Sequence, residues 1–247
     1  MFQTPRIPAA ALLGIATLCA AAACKREPTQ AELHLAKGND LFRTQDYGGC
    51  ASEIEQSLGL DPQQPQAIWD KCSFCYMKAN KLDKAGDTLV KAAQVTVKAE
   101  DKLANFRNAA GMYMQGNLSA QAEKAFMEAV KVDPKDKDSL EWLAEMASQR
   151  GGARRNDGVI QMEDLEAALG RYDELTTLFP AAPGNYVNKR IVLGRIIGAL
   201  IGKQKYAPEK DKEAQAKLAA RIDELKAKLE ETNKKMSEAL KAAKALK

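Results

Sequence analysis

The chain is poor in the residues that site chemistry usually needs. Its 247 residues include one histidine, His34. A lone imidazole leaves no Ser-His or Cys-His system that spacing would support. It also leaves too few ligands for zinc beside the one Cys-x-x-Cys, Cys72 to Cys75. Haem attachment would place His directly after Cys75, where Tyr76 stands. The one Gly-rich basic stretch, Gly151-Gly152-Ala153-Arg154-Arg155-Asn156-Asp157-Gly158, lacks the Gly-Lys-Ser/Thr of a phosphate-cradling loop and reads as a flexible insertion. Strong charge of one sign is missing too. Lys and Arg number 37 against 33 Asp and Glu, a balance too mild to indicate nucleic acid. Beyond Ala23 no hydrophobic run is long enough to span a bilayer. Neither catalytic residues, nor a metal, nor a cofactor is expected.

What the chain does contain is a helical repeat with a period of about 34 residues, from about Ala31 to past Gly151. Its best copy, Leu103 to Pro134, has Phe106, Ala109, Ala110, Tyr113, Ala122, Phe126, Ala129 and Pro134 at positions that let two antiparallel helices interlock. Ala31 to Pro62 carries Gly38, Leu41, Cys50, Ile54 and Ser57 in the same register. Gln66 onward repeats it with Trp69, Cys72, Ser73, Tyr76, Ala85, Leu89 and Ala92, and Lys137 onward gives Leu140, Leu143, Ala144 and Ala147. Small residues at the eighth and twentieth positions allow helix axes to approach to about 8–10 Å. One such hairpin cannot bury its apolar face; about three stacked hairpins can. Asp61-Pro62 and Asp133-Pro134 stop second helices, because Pro disfavours helix in the residue before it and offers no N–H.

This pattern resembles the tetratricopeptide (TPR) family over roughly half the chain. The resemblance implies an all-α superhelix of three to four helical hairpins whose concave face, lined by first helices, holds a peptide or a partner's helix. Carried over by position, that groove has Leu35, Asn39, Phe42 and Arg43 from the first repeat and Asp70, Phe74, Met77 and Lys78 from the second. The third adds Arg107, Met114 and Gln115. Phe42, Met77 and Met114 share one repeat position and would form an apolar stripe, with Arg43, Lys78 and Arg107 as a positive rim. Packing of these apolar side chains inside the superhelix is the alternative use for them. Leu35 stands where a Lys would be needed to clamp a C-terminal carboxylate as some family members do, so that activity is not expected.

The N-terminus bears on compartment. Arg6 precedes an Ala- and Leu-rich run from Ile7 to Ala23, followed by Cys24 and charged Lys25-Arg26-Glu27. The run is short for a span and has the form of a cleavable export signal over residues 1–23. Cleavage beside Cys24 looks like processing of a bacterial lipoprotein, with Cys24 carrying the lipid and residues 24–30 as a tether. Such sites usually have Leu where Ala21 stands, and Ala21-x-Ala23 also suits ordinary signal peptidase, which would leave a soluble periplasmic protein. Lys25 after the modified Cys favours the periplasmic face of the outer membrane. In an oxidising compartment a disulfide of Cys50 with Cys72 or Cys75 would cross the junction of the first two repeats. A Cys72–Cys75 bridge is disfavoured, since residues three apart in a helix rarely meet disulfide geometry.

After the insertion, near residues 151–159, Leu165, Leu169, Tyr172, Leu175 and Leu178 predict a helix that completes the fourth repeat and closes a solenoid over residues 31–182. A further helix over 185–203 caps it or docks a partner. Its Gly194, Gly198 and Gly202 form a ridge that would permit close helix contact. Residues 209–247 carry Ile222, Leu225, Leu229, Thr232, Met236, Ala239, Ala243 and Leu246 at spacings of three and four, a coiled-coil-like seam. That helix would pair with a partner or fold back on the solenoid. In general plan the chain resembles TPR lipoproteins that help assemble type IV pilus secretins, and others in β-barrel assembly, gliding motility or polysaccharide export. The expected function is therefore a non-catalytic envelope scaffold binding protein partners. A periplasmic thiol protein working through Cys72 and Cys75 is the alternative from another class.

Overall fold

The computed structural model describes residues 26–154, 159–206 and 212–245. The signal sequence and Cys24 lie outside the described residues, as do residues 155–158 of the insertion and Pro208 before the last helix. The fold is all-α. Four antiparallel hairpins follow one another: α1 (Gln30–Arg43) with α2 (Tyr47–Leu60), α3 (Gln66–Lys78) with α4 (Leu82–Val95), α5 (Ala99–Gln115) with α6 (Ser119–Val132), and α7 (Lys137–Arg150) with α8 (Met162–Leu178). They are succeeded by α9 (Pro183–Lys205) and α10 (Lys212–Ala245). This is the TPR-type solenoid architecture. One boundary departs from the repeat register: α5 begins four residues before Leu103, with Glu100 and Asp101 in its first turn, where acidic side chains favour a helix start.

Each first helix ends in the same turn. Gln45, Asn80, Asn117 and Gly152 follow the four C-caps with φ of 63°, 57°, 58° and 75°. The N–H of the next residue returns to the carbonyl five positions earlier in every copy: Asp46 to Leu41, Lys81 to Tyr76, Leu118 to Tyr113 and Ala153 to Ser148. This is the Schellman arrangement, which satisfies carbonyls that a helix end would leave free. Asn tolerates the left-handed conformation through local polar contacts, and Gly adopts it without Cβ strain. The start of the array is fixed by a capping box in which Thr29 and Glu32 bond reciprocally to each other's backbone N–H.

Hairpins stack through small residues. Cys50, Ala85 and Ala122 on second helices are wholly buried, and Gly38, Ser73, Ala110 and Ala144 on first helices are buried too; a Cβ at Gly38 would stand 3.4 Å from the Cys50 carbonyl oxygen, and the Ser73 hydroxyl donates to the Ala85 carbonyl at 3.0 Å. At Gly86 the Tyr113 ring of the next hairpin lies so close that an added Cβ would stand 2.5 Å from its Cε1. Tyr113 is held there by a 2.6 Å hydrogen bond from its hydroxyl to Asp87. Between the first helices of the second and third hairpins, Gln66 and buried Asn105 exchange two hydrogen bonds of 2.8 and 3.0 Å. Glu53 of α2 sits under α1, with Lys37 Nζ at 2.6 Å and His34 Nδ1 at 2.7 Å. Hydrogen bonds from Lys37 and His34 hold its carboxyl below the usual glutamate range.

The C-terminal part differs from expectation in two ways. The ridge of Gly194, Gly198 and Gly202 does not make the close contact foreseen for it: an added Cβ at any of the three meets nothing within 4 Å. Val192, Leu193, Ile196 and Ile197 on the other side of α9 are the buried ones, because their area is what the core can take from water. The insertion is not wholly a flexible loop either. Gly151, Gly152 and Ala153 are buried, and Ala153 joins the core beside Leu165. The long helix α10 folds back on α9, burying Ile222, Leu225, Thr232 and Ala239, while Arg221 reaches Glu166 at 3.1 Å and Lys228 reaches Asp173 at 2.5 Å on α8. No helix among the described residues is long and apolar enough to cross a membrane.

Gly86→Ala should lower stability by about 1–3 kcal/mol through overpacking against Tyr113, whereas Gly194→Ala on the open face should raise it by about 0.5–1 kcal/mol. Thermal unfolding followed by circular dichroism separates the two signs. Glu53 should contribute stability that is complete above about pH 4.3, its unfolded value, and lost as pH falls through its lower folded value. Urea titrations of wild type and Glu53→Gln across that range should therefore converge in acid and diverge toward neutrality.

Candidate functional site

A cavity of about 720 Å³ opens between α5, α7 and the start of α9, the face to which first helices contribute. Its apolar floor is Met114 and Trp142. Trp142 is 43% exposed, and its ring stacks on Phe126 with planes 12° apart and centroids at 6.1 Å. Gly111 borders the floor, and a Cβ there would meet nothing within 4 Å. The polar walls are Arg107, Asn108, Glu141 and Glu145 from the repeats, and Arg154, Asn185 and Asn188 from the region after α7.

Of the groove residues proposed from register, the structure brings Arg107 and Met114 into this cavity. Arg107 is already engaged: its guanidinium bonds Asp138 and lies 3.6 Å from Asp136. Phe42 and Phe74 meet at the other end of the array, with ring centroids 6.0 Å apart and Tyr47 within 6.0 and 6.3 Å of them. Lys71 and Lys78 stand over these rings at 5.5 and 5.3 Å, cation–π distances. Asn39 accepts a hydrogen bond from Lys71, Asp70 accepts one from Gln66, and Gln115 is exposed. Met77 packs half-buried against the core of the first two hairpins, as Leu35 does; Leu35 also lines a separate cavity with Leu60 and Gln64. Arg43 is exposed and pairs with its own Asp40 at 2.8 Å, so the positive rim is partly neutralised within the chain.

Trp142 and Asn108 were not among the register-derived residues, although both fall at the sixth repeat position, which Ala36 and Lys71 occupy earlier. Counting that position would have found them. Asn185 and Asn188 had no such signal, because α9 lies outside the repeat and only the fold returns its start to this face.

The cysteines are resolved as a Cys50–Cys75 disulfide with Cα atoms 6.1 Å apart, tying α2 to α3. Cys72 is a buried free thiol whose sulfur lies 3.6 Å from the Ala51 carbonyl. Burial pushes its pKa up to about 12. A thiol this far from ionising makes a poor nucleophile, and Cys75 is already bonded elsewhere. The geometry thus contradicts a redox pair of Cys72 with Cys75.

No family model matches the chain. Its fold is similar to that of a TPR repeats protein from Bacteroides fragilis, with a TM-score of 0.57 at 15% identity, covering 86% of this chain and 92% of that one. YrrB, a TPR protein with an unusual peptide-binding site, is 13% identical over 87% of this chain and 92% of its own, with a TM-score of 0.41. MamA is 14% identical over 85% and 94%, with a TM-score of 0.42. Likeness at such identities concerns fold alone, and of the three only the first superposition is close enough to bear on it.

In the native protein Cys72 should resist a thiol reagent at mildly alkaline pH and label only on unfolding, read by mass spectrometry of the Cys72 peptide. Converting both Cys50 and Cys75 to Ala should cost about 2–4 kcal/mol in a urea titration.

Proposed function

We propose that this chain is a non-catalytic protein-binding scaffold of the bacterial envelope, lipid-anchored at Cys24 on the periplasmic face of the outer membrane. In this reading it captures a segment of an envelope protein in its groove and steadies that partner's assembly, as in the building of a type IV pilus secretin. The observation that carries the scaffold reading is the cavity between α5, α7 and α9, with its exposed Trp142 and Met114 ringed by paired charges. An exposed aromatic in a concave, polar-walled cleft is a ready anchor point for a partner's apolar side chain.

Two further features favour export. One is the apolar run ending at Cys24. The other is the Cys50–Cys75 disulfide, a bond that persists in oxidising compartments and is rare in reducing ones. The resemblance to TPR lipoproteins supplies the particular machine, and adaptors of gliding motility, β-barrel assembly or polysaccharide export share the same plan.

Affinity purification from cross-linked envelopes should recover a secretin or another assembly component with wild type. It should lose that component with the double variant Met114→Gln, Trp142→Gln at unchanged helicity, and unaltered recovery would sink the groove reading. Cys24→Ala should deplete the same component; a partner retained without Cys24 would favour a soluble periplasmic adaptor.

A further inference from the structure

The cavity between α5, α7 and α9 is floored by an aromatic ring that the chain leaves uncovered. Phe42, Phe74, Tyr76 and Tyr206 each have a lysine of the chain over the ring, at 5.5, 5.3, 5.6 and 5.9 Å from the centroid. Trp142 has no such cation among the described residues, although it is exposed within the cavity and indole attracts a cation more strongly than the other aromatic side chains do.

Helix α7 surrounds this ring with acid. Asp138, Trp142 and Glu145 are spaced to share one helix face, Glu141 adjoins Trp142 in sequence, and all three carboxylates line the cavity. The two guanidinium groups that line it are engaged already. Arg107 bonds Asp138 and lies 3.6 Å from Asp136, while Arg154 donates to Asn188 at 2.6 Å and stands 3.9 Å from Glu145. Glu141 meets Lys137 Nζ at 3.5 Å, one turn back on its own helix, and the pair is open to solvent. A pair of that kind is held weakly and exchanges readily. Glu145 accepts hydrogen bonds from Tyr172 and Gln149 at 3.1 and 3.0 Å, and a carboxylate with about four acceptor sites has room for a further donor. Unspent negative charge therefore gathers beside Trp142, in a chain whose formal charge is +4.

We infer that this cavity seats a basic side chain, Lys or Arg, from a partner's peptide segment. Its cationic head lies over Trp142 within reach of Glu141 and Glu145, and its methylene stem runs along Met114, the way long basic side chains bury their stems on apolar surface. At about 720 Å³ the cavity is in the range that takes drug-sized ligands, so a short stretch of backbone enters with the side chain. An acidic segment would face three carboxylates and is repelled. The inference names the partner chemistry of the groove reading above and rests on it.

A random peptide display library selected on the full-length protein, with the Trp142→Ala protein as counter-selection, tests both levels. The expected result is enrichment of peptides that share a Lys or Arg position. The best of them should bind about tenfold more weakly when Met replaces that residue. Glu141→Gln alone should reduce this preference about threefold, and Glu141→Gln with Glu145→Gln should abolish it, each leaving the affinity of the Met peptide unchanged. Lys137→Gln should act the other way: by freeing Glu141 it should strengthen binding of the basic peptide about twofold. A merely structural role for α7 would not give that gain. Because Lys137 and Glu141 reach solvent, their variants decide the matter even if Glu145→Gln, which alters the Tyr172 contact, fails to fold. A preference undiminished in Glu141→Gln overturns the seat, as does enrichment of acidic or wholly neutral peptides, and either result leaves the groove standing. No enrichment over Trp142→Ala overturns both.

Discussion

The approach of helix axes at positions with little or no side chain governs this solenoid. Gly38, Ala110 and Ala144 face α2, α6 and α8 closely enough for dispersion and apolar burial to accumulate along four hairpins, none of which could be stable alone. The same closeness makes each interface intolerant of volume, as at Gly86 under the Tyr113 ring. It also demands sharp reversals, which the four Schellman turns supply with one backbone solution repeated at Gln45, Asn80, Asn117 and Gly152. Polar pairs such as Gln66 with Asn105 fix the register between neighbours rather than adding much net stability, because such bonds replace ones already made to water.

Much of this was legible in the sequence, because the constraint is periodic. Small residues eight and twenty positions into each unit and the Asp-Pro stops recur at a countable spacing, and the hairpins fall where that spacing puts them. The site was harder to see. Phe42, Met77 and Met114 share a repeat position, yet the first two are drawn into packing near the array's start while Met114 faces the cavity, since the local neighbours decide what an equivalent position meets. Trp142 is open to the same counting, at the sixth repeat position. Asn185 was not open to it, because no period links α9 to the repeats. The Gly194 ridge shows the opposite case: a spacing that permits close helix contact makes none, because the bulky face of α9 has the stronger claim on the core.

The fold also explains how α9 takes part in the site. With α10 covering its outer apolar surface and bridged to α8 through Arg221 and Lys228, α9 is fixed along its length. Its first turn is therefore presented to the concave face as a rigid edge, and Arg154, emerging from the buried Gly151–Ala153 turn, meets Asn188 there. Rigid framing of this kind lowers the entropy a ligand would otherwise lose in ordering its binding surface.

The Cys50–Cys75 link has a mechanical side. Linear arrays fray from their ends, each terminal unit holding on by one interface only. Here the first hairpin, the unit nearest Cys24, is covalently joined to the second across that interface. A pull entering through the N-terminus would pass through sulfur into the second hairpin, and the residues between the two cysteines would be shielded from extension. Under such a pull, the unit that takes the load first is the one reinforced by a covalent bond.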